Sequence, residues 1–117
     1  MSLQQPLLVF TNMPDAPSAR ALAHKLLEQQ LAACVNYFPP MMSIYRWQGA
    51  IEEAAEVPLL IKTTQARYSE LEAVIKASHP YDVPEIIATP IVAGWPAYLE
   101  WIIQETMNKD SDVQDDE

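Results

Sequence analysis

The 117-residue sequence holds one cysteine, Cys34, and two glycines, Gly49 and Gly94. A single cysteine excludes an intrachain disulfide and every Cys-x-x-Cys metal or redox motif. So few glycines predict long elements joined by few special turns. Positive charge is scarce as well: seven Lys and Arg stand against sixteen Asp and Glu, a net charge of −9. An acidic chain without a basic cluster is a poor match for nucleic-acid phosphates or an anionic membrane, so neither is expected as a partner. Long hydrophobic runs are missing too. The N-terminal "MSLQQPLLVF" has no basic segment, and its apolar run is too short for a signal or a membrane span. A cytoplasmic location is expected.

What remains is a globular composition, half hydrophobic and one fifth charged. A single domain is expected over residues 1–107. The stretch 108–117 belongs to a tail, "KDSDVQDDE", with no apolar periodicity, and is expected to be acidic and disordered. Ten prolines must sit at element starts, edges and loops.

Periodicity orders the elements. "LLVFTNM" (7–13) is a continuous apolar run and predicts a strand buried on both faces. In "DAPSARALAHKLLEQQ", Ala19, Leu22, Ala23, Leu26 and Leu27 recur at helical spacing, with Asp15 or Ser18 as the cap. Residues 32–49 are rich in aromatic and branched side chains and predict a second strand. The chain returns through "AIEEAAEVPLLIKTT", with Gln48-Gly49 at the reversal. "QARYSELEAVIKAS" then gives a second helix, "EIIATPIV" a strand, and Trp95-Pro96 opens a third helix. This order is βαββαβ plus a terminal helix. With right-handed crossovers it predicts an α+β, ferredoxin-like sandwich, first and third strands central and the second at an edge.

The hairpin formed by the second and third strands is too long for such a domain. Residues 33–48 fully extended would span about 50 Å, against a radius of gyration of about 13 Å for a compact domain near this size. Pro39-Pro40 is the expected bend. One parity carries Tyr37, Met41, Tyr45 and Trp47; the other carries Phe38, Met42 and Ile44. An edge strand apolar on both faces should not meet water. A homo-oligomer is therefore expected, its interface built from Tyr37, Met41, Met42, Ile44, Tyr45 and Trp47 through strand pairing between subunits.

The segments "ARALAHKLLEQQLAAC", "SIYRWQGAIEEAAEVPLLIKTT" and "HPYDVPEIIATPIVAGWPAYLEWI" resemble the CutA divalent-cation tolerance family over roughly residues 7–107. The resemblance implies a ferredoxin-like subunit in a homotrimer similar to the PII-type signalling trimers, and a role in tolerance of copper and other divalent cations. It also implies copper ligands at a cysteine after the first strand and at paired histidines before Pro-Tyr. In this sequence Thr11 and Ser78 hold two of those positions, and His79 alone remains.

His79 has two readings. One is a metal contact, weak because a single imidazole makes a poor site for copper or another divalent cation, with Asp82 and Glu85 near enough to add oxygens. The other, favoured by Pro80 directly after it, is a helix-ending turn residue. Cys34 reads as a small buried hydrophobe. His24 and Glu28 read as a solvent-facing helical pair, and Met41-Met42 as edge-strand packing rather than a cuprous site. Trp47, Lys62, Tyr81 and Glu85 are expected to line a ligand cleft between subunits, an expectation drawn chiefly from the resemblance to PII-type trimers. Nothing calls for an organic cofactor.

A non-catalytic binding or regulatory protein is the expected function. The competing enzyme, an acylphosphatase-like hydrolase, wants a glycine-rich anion cradle with an arginine after the first strand. Here that loop is "TNMPDAPSAR", without glycine and with Arg20 already inside the helix.

Overall fold

The computed structural model describes residues 2–107; the acidic tail expected over 108–117 lies outside the described residues. Five strands and three helices follow in the order β1 (Pro6–Met13), α1 (Ala16–Glu28), β2 (Cys34–Tyr37), β3 (Met41–Trp47), β4 (Ala50–Thr64), α2 (Gln65–Ser78), β5 (Ile86–Pro90) and α3 (Pro96–Glu105). The antiparallel sheet runs β2-β4-β1-β5. The central pair is thus the first strand and the long returning strand, as the sequence order predicts.

Alternation decides which side chains enter the core. Leu7, Val9, Thr11 and Met13 of β1 and Val57, Leu59, Ile61 and Thr63 of β4 are buried. Val9, Met13, Val57, Leu59 and Ile61 among them form one cluster with Ala19, Leu22 and Leu26 of α1 and Leu71 and Ile75 of α2. Each large apolar side chain closed off in this way contributes about 1.5–3 kcal/mol. Helix α1 starts where Asp15 accepts the Ser18 N–H at 2.8 Å, with Pro17 in the first turn, where a missing N–H costs nothing.

The opposite sheet face is only partly covered, which corrects the expectation that the first strand is buried on both sides. Helix α3 packs against β4 and β1, burying Ile102 and Thr106. Phe10 and Ile87, paired across β1 and β5, remain exposed. Leu27, counted in the apolar stripe of α1, is exposed as well; it falls at the rim of the stripe, where the helix turns from the sheet.

The predicted second strand is two strands. Residues 38–40, containing Pro39-Pro40, lie between the β2 pair Tyr37↔Leu59 and the β3 pair Met41↔Glu56, opposite only residues 57–58. Three residues face two, and two of the three lack an N–H, so the ladder is broken and the chain bends. β3 then pairs with the first half of β4 and leaves the main sheet as an arm. Its tip is a two-residue turn with φ of 49° at Gln48 and 84° at Gly49, the left-handed pair that matches the twist of a hairpin. The arm stretches the molecule to 54 × 28 × 25 Å, with a radius of gyration of 15.4 Å.

Candidate functional site

Where the arm leaves the sheet, a cavity of about 890 Å3 opens between one face of the hairpin and the connector that follows α2. Alternation builds the hairpin wall. Counting outward from the turn, Trp47 pairs with Ala50, Ser43 with Ala54 and Met41 with Glu56. Ser43, Tyr45, Trp47, Ala54 and Glu56 therefore share a face, and all line the cavity. The connector supplies Tyr81, Asp82 and Glu85, and the end of β1 supplies Asn12. Among the described residues no lysine, arginine or histidine lines it.

The connector is held by His79. Its ring is buried, with Nε2 2.5 Å from the Asn12 carbonyl, while Nδ1 accepts the Tyr81 N–H at 3.2 Å. Because Nδ1 is an acceptor, the hydrogen-bond pattern assigns the proton to Nε2, which donates. The ring also stacks obliquely on Tyr81, centroids 4.6 Å apart. Asn12 completes the link: its Nδ2 reaches Glu85 Oε1 at 3.5 Å. One imidazole thus ties the end of α2 to the end of β1 and orients the cavity wall. Burial, then the nearby Glu56 carboxylate and Tyr45, push the Tyr81 hydroxyl above the usual tyrosine pKa.

Of the four residues expected to share a cleft, Trp47, Tyr81 and Glu85 line this cavity and Lys62 does not. Lys62 pairs across the sheet with Cys34. Its Nζ donates to Asn36 Oδ1 and approaches Cys34 Sγ at 3.9 Å. Cys34 is half-buried rather than buried, and a lysine 28 residues away supplies the basic neighbour that its own strand lacks. Tyr98 of α3 is pushed above its usual pKa by burial first and then by Cys34. His24 and Glu28 are exposed on α1. Sequence reasoning missed Asn12 and Glu56. The register counted from Gln48-Gly49 was the signal for Glu56; nothing local marks the carbonyl of Asn12.

The loop between β1 and α1 does not form an anion cradle. Asp15 occupies the helix N-terminus with its own carboxylate, held below the ordinary aspartate pKa by the Ser18 backbone and hydroxyl. Arg20 is exposed on the helix.

The family model described as CutA1 divalent ion tolerance protein matches residues 7–105. The chain belongs to this family. It is 46% identical over 99 residues to the divalent-cation tolerance protein CutA of Thermus thermophilus, covering 85% of this chain and 96% of that one. The crystal structure of CutA from Xylella fastidiosa superposes with a TM-score of 0.85 at 42% identity, over 88% of this chain and 99% of the other. The chloroplastic CutA of Arabidopsis thaliana is 39% identical over 102 residues, 87% of this chain and 56% of that protein. Against bacterial CutA chains the sequence spans nearly the whole length, and against the plant protein about half.

The family name raises the question of a cation site, and the residues present do not fit one. Both ring nitrogens of His79 are engaged by main-chain groups, so the lone pair a metal needs is already accepting the Tyr81 N–H. Among the described residues no group of three His, Cys, Asp or Glu side chains is placed to hold an ion. Thr11 is buried in the core with its hydroxyl unpartnered, and it is a far weaker metal ligand than the cysteine implied at that position.

Proposed function

We propose that this CutA-family chain acts as a homotrimer of the PII-like kind in the cytoplasm, serving divalent-cation tolerance, copper included, by binding a small ligand rather than by catalysis. One observation carries the reading. The arm bears apolar side chains open to water on both faces: Met42 at 62%, Ile44 at 67% and Ile51 at 70% exposure, with Tyr37, Met41, Tyr45 and Trp47 beside them. A hairpin of this composition is stable only when another surface covers it. A second copy supplies a matching one, since β5 ends the sheet as an exposed edge beside Val92 and Trp95. Strand pairing of the arm with a neighbouring subunit satisfies both.

The ligand site in this reading is the cavity holding Trp47, Tyr81 and Glu85, and His79 serves it as a positioning residue. Copper and zinc are expected to bind weakly and without dependence on the His79 ring. No helix of the described residues is long and apolar enough to cross a membrane. The test is the mass in solution: native mass spectrometry at micromolar concentration should give three times the 13.2 kDa chain. A folded lone chain at that concentration would overturn the proposal.

A further inference from the structure

The two ring nitrogens of His79 do different work. Nε2 donates to the Asn12 carbonyl at the end of β1, and Nδ1 accepts the Tyr81 N–H at 3.2 Å. This arrangement has room for one ring proton. A second would go to Nδ1 and set one N–H against another, on a residue only 9% exposed. The charged neighbours do not offset that conflict. From the connector, Glu85 reaches the Asn12 amide at 3.5 Å rather than the ring. Asp82 lines the cavity, and Glu56 of the hairpin acts on Tyr81. Among the described residues no carboxylate makes an ion pair with the ring. From α1, Lys25 holds the neighbouring Ser78 at 3.2 Å, and Lys76 stands one turn back on α2; both oppose added positive charge. The Tyr81 hydroxyl stays protonated, since burial and then Glu56 push its pKa up.

We propose that His79 is a pH-sensitive latch: its neutral ring pins the connector 80–85 to β1, and protonation at Nδ1 releases it. Those residues carry neither helix nor strand of their own, so they can leave without unravelling an element. Release carries Tyr81, Asp82 and Glu85 away from the hairpin face and opens the cavity wall. The released ring binds one proton more than the latched ring, so acid favours release and the closed form is complete on the neutral side. The device is independent of what the cavity holds.

The full-length protein is followed from about pH 7.5 to 5.5, a window in which exposed carboxylates stay ionised. Hydrogen exchange reads the Tyr81 amide, and long-range proton–nitrogen spectra read the His79 ring. At the neutral end the ring should be the Nε2–H tautomer. An imidazole in open solvent titrates near pH 6.5, so release should become about tenfold more favourable across the window. Tyr81 protection, corrected for the intrinsic exchange rate, should fall by that factor, while the paired Val9 and Ile61 amides at the sheet centre keep theirs. His79→Gln cannot take up the proton and should abolish the pH dependence. His24→Ala, at the exposed histidine of α1, should leave it intact. Tyr81 protection that stays level, or that falls equally in His79→Gln, overturns the proposal. So does a neutral ring with its proton on Nδ1, or a ring that gains a second proton while the Tyr81 amide stays protected; neither readout needs a variant.

Discussion

Glu56 lines the cavity while His79 anchors the connector behind its wall, and their surroundings differ in kind. The carboxylate of Glu56 lies against the Tyr81 hydroxyl at the cavity wall, and an amide in its place keeps an oxygen that can accept from that hydroxyl. Glu56→Gln is therefore expected to change the stability of the fold by less than about 1 kcal/mol, measured by urea denaturation. His79 has every polar atom satisfied. His79→Ala strands a buried carbonyl and an N–H, and should cost about 2–3 kcal/mol. Copper titrations of wild type and His79→Ala should superimpose; a clear loss in the variant would restore the imidazole as a ligand. The helix-ending role of His79 was legible in "SHPY", because Pro80 forbids continuation. Its bond to Asn12, 67 positions away, was not, since no local pattern announces which carbonyl a ring will meet. The same holds for Lys62 and Cys34, which the register of β2 and β4 brings together.

At the level of elements, the arm and helix α2 give distinct tests. The arm was legible as a hairpin because Gln48-Gly49 supplies two positive φ values between alternating runs. The division of its first strand was legible only as a bend, because the one-residue excess of 38–40 over 57–58 depends on the partner strand. Ile44 pairs with Glu53 across the arm. Ile44→Lys therefore keeps the hairpin, adding an opposite-charge pair, while charging the apolar face. The variant should remain folded by circular dichroism and fall to the mass of one chain. In α2, the Tyr68 hydroxyl donates to Glu72 at 2.8 Å, and burial followed by that carboxylate pushes its pKa up to about 12. The folded chain holds this proton more tightly than the unfolded chain, whose tyrosine titrates near 10. Its contribution is complete below pH 10 and is lost as pH rises through about 12. Thermal melts should show an alkaline decline over that interval that is smaller in Tyr68→Phe.

The molecule as a whole is a sandwich with a limb. The order of elements was legible from end to end, because hydrophobic period and turn chemistry are written locally. Coverage of the sheet was not: α1 and α2 close one face, while α3 closes only part of the other, leaving Phe10 and Ile87 bare. That uncovered face and the arm together predict that dilution and unfolding are linked. The melting temperature should rise with protein concentration, as for any fold completed by its own copies. A concentration-independent transition of a monomeric species would contradict the assembly.

The fifteen residues of β4 run without interruption from the turn at the tip into the centre of the sheet, although the strand beside them breaks at its two prolines. One continuous backbone rail therefore fixes the direction of the limb before any neighbour arrives. In the proposed trimer, encounter between copies then needs little disorder-to-order transition, so the entropic toll of docking is small. Amide exchange along 57–61 should be slow even in chains kept apart by Ile44→Lys.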